Sequence, residues 1–330
     1  MQILEQKGIA VQASAEKIFV DARDSGQQFN FITHAHSDHS NFKRHNKCIM
    51  TKPTKALLKH KIRKENEVME VEYNKPIVIA DLSVTFHNSG HILGSSQLFI
   101  EGTKTLAITS DIKLEDSLLL KGAQPLHSDI LLIESTFGLP QFKFPKREQL
   151  YHEIGSWVNS NVKKGSLVIL GGYATGKAQE LTKLVTEYTN ETPVVFEKAF
   201  DQNKIYEEQG IYLGNYEKLN GNLKDANVLI VPTNLVDEHL VHSLSKTLNR
   251  DVEAAIATGW NFYSKNIKQF PLSDHADYYQ LLDYIKQAEP QLVLTNHGFA
   301  KEFARSIRKE LGIPANELQS KMQSTIQNFS

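Results

Sequence analysis

Six consecutive residues, His34-Ala35-His36-Ser37-Asp38-His39, place three imidazoles and a carboxylate directly after the apolar stretch Phe29–Thr33. Side chains two apart at a strand end point to one side, so His34 and His36 can grip one cation together. Asp38 and His39, carried round the following turn, can hold a second. Imidazole nitrogen and carboxylate oxygen are the donor set of zinc, with manganese as the alternative. Four residues do not complete two open sites, so more ligands must come from elsewhere. His91 lies in Ser89-Gly90-His91-Ile92-Leu93-Gly94-Ser95, where the glycines let the backbone turn tightly. Asp111 follows the apolar run Leu106–Ile108, where one carboxylate can bridge two metals, and His297 follows Leu292–Thr295. Two further residues look chemical rather than ligating. Glu134 closes the run Ile130–Ile133, and its carboxylate needs a partner, for which the N–H of a ligating imidazole is suited. His275 lies in Ser273-Asp274-His275-Ala276-Asp277 at the expected first turn of a helix. Ser273 and Asp274 suit helix capping, which leaves the histidine unexplained.

The elements that must position these residues change character along the chain. Short strands separated by turns are expected at Lys17–Asp21, Phe29–Thr33, Ile77–Ile79, Ser83–His87, Gln97–Ile100 and Thr105–Ile108. A helix is expected over Pro53–Arg63, with proline at its start. From Ile130 the strand-like runs become almost wholly apolar: Ile130–Ile133, Leu167–Leu170, Val194–Phe196, Val228–Val231, Ala254–Ala257 and Leu292–Thr295. Helix-like segments separate them, as in parallel sheets buried on both faces. Composition shifts near Gly138–Arg147 and Gly259–Pro271 mark candidate boundaries.

The 330 residues carry 37 Lys and Arg against 38 Asp and Glu, a net charge of −1, which argues against a basic nucleic-acid coat. No apolar run approaches the ~20 residues of a membrane span. The single cysteine, Cys48, cannot form an internal disulfide, and the N-terminal residues lack the pattern of a signal peptide. A cytoplasmic protein without membrane association is expected.

His34–His39, His91, Asp111, Glu134, His275 and His297 occur in the order of the motifs of the β-CASP metallo-β-lactamase-fold nucleases, which the chain resembles from about Gly8 to Gly298. Glu134–Pro145, Phe270–Asp277 and Gly176–Gln179 are similar to the compact DNA-ligase-associated exonucleases. Short archaeal relatives in this family are described as RNA 3′-end processing factors. The resemblance implies an αββα metallo-β-lactamase sandwich, here 1–148 plus 258–330, with an α/β cap inserted at 149–257. It implies that His34, His36 and His91 bind one metal and that Asp38, His39 and His297 bind the other, with Asp111 between them. His275 would be the general acid or a phosphate contact, and Glu134 would orient a histidine ligand. In Thr109-Ser110-Asp111 the family commonly has glycine before the aspartate, and serine suits that position if its φ is negative.

The implied function is hydrolysis of phosphodiester bonds in single-stranded DNA or RNA, as an exonuclease at DNA ends in repair, with a DNA ligase or helicase as partner. RNA 3′-end processing is the alternative, and a small-molecule metallohydrolase is the second. The reaction needs a nucleophile, charge neutralisation on phosphoryl oxygens and a proton for the leaving oxygen. Two bound cations supply the first two. An imidazole with a reference pKa of ~6.5, His275, supplies the third, with Asp38 and Glu134 as the carboxylates of the reaction centre. Gly171–Lys177 matches G-x-x-x-x-G-K, but Ala178 stands where a nucleotide-binding loop has Ser or Thr. A helix start able to hold a backbone phosphate is the reading adopted, a plain strand-to-helix turn the other. Lys177, Lys113 and Ser273 are the expected phosphate contacts. Lys43, Arg44 and His45, Lys143, Lys146 and Arg147, and Lys301, Arg305 and Arg308 form further basic groups. Phe137, Phe142 and Phe144 are candidates for stacking on bases, with core packing as the alternative.

Overall fold

The computed structural model describes residues 2–6, 8–13, 16–79, 81–261 and 264–318. The described residues fall into two compact units, one within Met1–Glu115, Lys121–Lys143 and His275–Ser330, the other Asp116–Leu120 and Phe144–Asp274. The first unit opens with a sheet of β1 (Gln2–Glu5), β2 (Ile9–Ala13), β3 (Glu16–Val20), β4 (Phe29–Phe31), β5 (Lys47–Thr51) and β6 (Glu67–Val71), in that order. Strands β3 to β6 are mutually parallel. Helix α1 (Lys52–Leu57) follows β5, capped by the Thr51 hydroxyl. It is shorter than the expected Pro53–Arg63, because the basic run after Leu58 brings only Ile62 to the apolar surface.

A second sheet begins with β7 (Pro76–Ile79), β8 (Leu82–Asn88), β9 (Ser96–Glu101), β10 (Thr105–Ile108) and β11 (Ile130–Glu134). The chain then forms the second unit, whose strands are β12 (Leu167–Gly171), β13 (Val194–Val195), β14 (Glu217–Lys218), β15 (Val228–Val231), β16 (Val252–Ala257) and β17 (Ile267–Phe270). They make one parallel sheet of order β14-β13-β15-β12-β16-β17. Helices α2 (Arg147–Lys163), α3 (Lys177–Tyr188), α4 (Glu197–Glu208) and α5 (Glu238–Leu248) accompany it. The chain returns through α6 (Tyr278–Ala288), β18 (Leu292–Asn296), α7 (Ala300–Leu311) and β19 (Ala315–Glu317), completing the second sheet as β19-β18-β11-β10-β9-β8-β7. Residues 144–148 and 258–274, expected in the first domain, lie in the second unit, where β17 bonds in parallel to β16.

The apolar runs are buried on both faces, and the alternation of a strand divides them between two cores. In β11, Ile130 and Leu132 join the core between the first two sheets, while Leu131 and Ile133 pack against α6 and α7. Together with Leu58, just past α1, packed on Ile32, Cys48 and Met50, this gives the αββα sandwich. In β12, Val168 and Leu170 face α2 and α3, while Leu167 and Ile169 face α5. Among the described residues no helix is long and apolar enough to cross a membrane.

Lys177, expected to meet a phosphate, is 1% exposed in the second unit. Its ammonium lies 2.8 Å from Glu180 Oε2 and 2.7 Å from Asp274 Oδ1. Arg147, expected on the surface, is also buried and donates to both Glu180 oxygens at 2.6 and 2.7 Å. The carbonyl of Ser273, likewise buried, accepts from Arg147 Nη1. Two cations and two carboxylates are thus enclosed without net charge. Lys177→Met removes the ammonium between two buried carboxylates, and we expect it to cost about 3–5 kcal/mol of unfolding free energy. The denaturant midpoint at unchanged slope measures this, and a cost under about 1 kcal/mol would mean that water already reaches the cluster.

Candidate metal centre

The candidate ligands converge because they follow the carboxyl ends of strands. His34 follows β4, His91 follows β8, Asp111 follows β10, Glu134 ends β11 and His297 follows β18. Gly90 brings His91 in: at φ 72° its α-carbon lies so close to the Lys113 carbonyl that a β-carbon would sit 2.4 Å from the oxygen.

Ligand atoms of His34, His36, His91 and Asp111 lie within 4.8 Å of one another, as do those of His39, Asp111 and His297. Asp111 belongs to both groups through different oxygens. Oδ2 is 3.4 Å from His34 Nε2 and 3.6 Å from His91 Nε2. Oδ1 is 3.5 Å from His39 Nε2 and 3.7 Å from His297 Nδ1. The buried atoms His34 Nε2 and Asp111 Oδ1 have no hydrogen-bond partner among the described residues. Buried lone pairs without donors fit a cation. Asp38 stands at the rim, 76% exposed, with Oδ2 3.7 Å from His39 Nε2, and does not join either mutually close group.

Asp21, which follows β3 and was not singled out from sequence, holds the arrangement from behind. Its carboxylate accepts from the Thr33 amide at 2.8 Å, the Thr33 hydroxyl at 2.6 Å and His39 Nδ1 at 2.7 Å. Because the Thr33 hydroxyl donates to Asp21, its lone pairs accept from His34 Nδ1 at 3.1 Å and from the Ser110 hydroxyl at 2.7 Å. That chain turns the Nε2 atoms of His34 and His39 toward Asp111. An aspartate ending a short strand was its only sequence signal. Asp21, Ser110 and His297 all have left-handed backbones, at φ 52°, 50° and 58°. Ser110 therefore occupies the conformation that glycine favours, so the condition under which serine suits that position is not met, and its hydroxyl hydrogen bond offsets the strain.

Glu134 is fully buried. It accepts from the Ile112 amide at 2.7 Å and faces His275 Nδ1 at 2.9 and 3.1 Å. The imidazole it orients is thus His275 rather than a member of the two histidine groups. The His275 ring lies 4.6 Å from that of His91, centroid to centroid. Ser135 fixes the His297 turn, its hydroxyl lying 2.8 and 2.6 Å from the Asn296 and His297 carbonyls. Helix α6 is capped by Asp277, not by Ser273 or Asp274. Lys113 is buried, bonded through its backbone to Ser89 and Ala123. Phe137 and Phe142 are also buried, with rings 4.9 Å apart, and Phe137 abuts His275 at 6.0 Å. They support the histidine instead of offering faces to bases. Lys43, Arg44, His45, Lys301, Arg305 and Arg308 remain exposed.

Residues 264–316 match the family model described as a Zn-dependent metallo-hydrolase RNA specificity domain. A protein of Opitutus terrae named a probable DNA ligase is 31% identical over 88% of this chain and 28% of its own length. A Lokiarchaeum protein named transcription termination factor FttA is 33% identical over 45% of this chain and 24% of its own length. An RNase J-like protein of Methanocaldococcus jannaschii is 24% identical over 86% of this chain and 85% of its own length. Together these matches support a β-CASP metallo-β-lactamase nuclease. The chain spans only about a quarter of the first two relatives.

Electrostatics divide the candidate metal centre into unequal halves. Burial pushes His34 down to about 4, assisted by His39. Burial, with His275 and His36, also holds His91 well below the ordinary imidazole range. Burial opposes the charge on His39, but Asp111 and Asp21 outweigh it and raise His39 to about 10. For Asp111, burial opposes ionisation, yet His39 and His275 hold it well below the carboxylate range. His297 is raised by its contact with Asp111. At neutral pH His34 and His91 are therefore ready to donate lone pairs, whereas His39 holds a proton that a cation must displace. Metal loading should release that proton near neutral pH, and the release should fade as pH rises through about 10. Calorimetry in buffers of different ionisation enthalpy measures it; no release near neutrality would exclude His39 as a ligand. Asp21→Asn weakens the acceptor behind His39 and should lower metal affinity ~10–100-fold in chelator competition, while unchanged affinity would make Asp21 a folding residue only.

Proposed function

We propose that the chain is a dinuclear metal-dependent nuclease that hydrolyses phosphodiester bonds of single-stranded nucleic acid. The observation that carries this reading is one buried carboxylate, Asp111, facing a histidine group through each oxygen, with the Glu134–His275 pair beside it. His34, His36 and His91 would hold one cation, and Asp38, His39 and His297 the other, with Asp111 between them. When bound, two cations, zinc by donor set, supply a nucleophilic water near neutral pH and neutralise charge on the phosphoryl oxygens.

The chain's own residues do the rest. Glu134 accepts a hydrogen bond from Nδ1–H of His275, which sets the ring orientation. Nε2 then carries the proton that the leaving oxygen needs. His275 is 21% exposed along its side chain, open enough to meet a substrate. Asp38, at the rim 3.7 Å from His39 Nε2, would join the His39 and His297 group from the solvent side.

Single-stranded DNA ends in repair are the first substrate reading. Its support is that the relative named a probable DNA ligase matches over most of this chain. A DNA ligase or helicase is the candidate partner of this reading. RNA processing is the second, favoured by the RNA specificity domain at 264–316 and by the RNase J-like relative. A small-molecule hydrolase leaves the Glu134–His275 pair and the second unit without a role.

Matched DNA and RNA strands, labelled at either end and incubated with metal-loaded protein, test the reading. Hydrolysis should depend on the metal, be abolished by chelator, and show by product length whether cleavage starts at an end. His275→Ala should keep its metal and lose ~10²–10⁴ in rate. Asp111→Ala should lose metal and activity together; full activity in that variant would sink the dinuclear assignment.

A further inference from the structure

His275 sits in a stretch without regular secondary structure, between the end of β17 at Phe270 and the start of α6 at Tyr278. No helix or strand ladder holds its backbone, so its position depends on what holds the residues either side. On the carboxyl side the Ala276 amide donates to the Ile112 carbonyl at 2.7 Å, and Asp277 caps α6. On the amino side the two preceding residues belong to the buried ionic cluster. The Ser273 carbonyl accepts from Arg147 Nη1, and the Asp274 carboxylate lies 2.7 Å from the Lys177 ammonium. Glu180 joins both cations, accepting from Arg147, Lys177 and the Tyr151 hydroxyl.

We propose that the Arg147–Glu180–Lys177–Asp274 cluster is a positioning device for His275, locking the backbone one residue before it so that its proton-bearing nitrogen is placed for the leaving oxygen. This rests on the acid role given to His275 above. Stability alone is a poor reason for enclosing four charges, because well-packed apolar side chains in their place are often neutral or stabilising. Ionic clusters supply direction. Arg147 offers a planar fork that fits the Glu180 carboxylate in one orientation. Two consecutive residues anchored at backbone and side chain leave the next α-carbon little freedom. The G-x-x-x-x-G-K stretch is absorbed by the same device: Gly176 has φ 96° at the start of α3, where Lys177 turns inward to the carboxylates.

The test uses two phosphodiesters on the full chain with metal content measured for every variant: a single-stranded oligonucleotide, whose leaving oxygen needs a proton, and bis(p-nitrophenyl) phosphate, whose nitrophenolate leaves without one. His275→Ala is the reference, expected to lose ~10²–10⁴ on the oligonucleotide and under about 10-fold on the nitrophenyl ester. If it slows both alike, the acid role is wrong and the proposal falls with it. Asp274→Asn should lose about 10–100-fold in kcat on the oligonucleotide, with KM and metal content unchanged and the nitrophenyl ester within about 3-fold. The charge-balanced Lys177→Met/Asp274→Leu double variant leaves no unpaired charge, so it separates positioning from folding. It should remain folded and show the same selective loss, while Lys177→Arg, which keeps the ion pairs, should restore the rate. Equal loss on both substrates, or full oligonucleotide activity in the folded double variant, would overturn the proposal.

Discussion

A buried carboxylate with imidazoles on both sides is an arrangement a protein has to hold by force of structure. Asp111 serves as the counter-charge for His39 and contacts His34, His91 and His297, with almost no water to screen it. A small displacement would unbalance one half of the centre, since like-charged imidazoles at such distances repel when protonated. Much of the first unit follows from this demand. Strands running in one direction bring their carboxyl ends to one edge, and each candidate ligand follows such a strand end. The backbone is tightened further by left-handed residues at Asp21, Ser110 and His297, a conformation that persists only where surrounding bonds over-determine it.

The supports behind the candidate ligands are as specific as those residues. Thr33 and Asp21 relay hydrogen bonds that fix the ring orientations of His34 and His39. Ser135 ties the His297 turn to the end of β11. Glu134 turns its buried carboxylate on His275, and Phe137 backs the same ring. The second unit has a polar interior of its own, in which Arg147, Lys177, Glu180 and Asp274 compensate one another.

The candidate ligand set was legible because its chemistry is local. Three histidines and an aspartate within six residues, and single histidines or carboxylates directly after apolar runs, need no tertiary information to stand out. The apolar runs from Ile130 onward were legible for the same reason, as only a strand buried on both faces dispenses with polar alternation. Strands such as Gln2–Glu5 and Glu67–Val71 were not, being short, with charged or half-exposed residues that resemble turns.

Residue types and their spacing along the chain determined the candidate ligands, the α/β class and the chemistry a cation would meet there. Tertiary structure decided which oxygen of Asp111 faces which histidines, that Glu134 serves His275, and that Asp21 stands behind His39. It also decided that Lys177, Lys113 and Ser273 are interior groups, where sequence had placed them toward a phosphate, and that Arg147, expected in a basic surface group, is interior too. A lysine beside glycine at a helix start has the same local sequence whether it meets a nucleic acid or a buried carboxylate. Only the distant residue brought against it, Asp274 in this protein, separates the two.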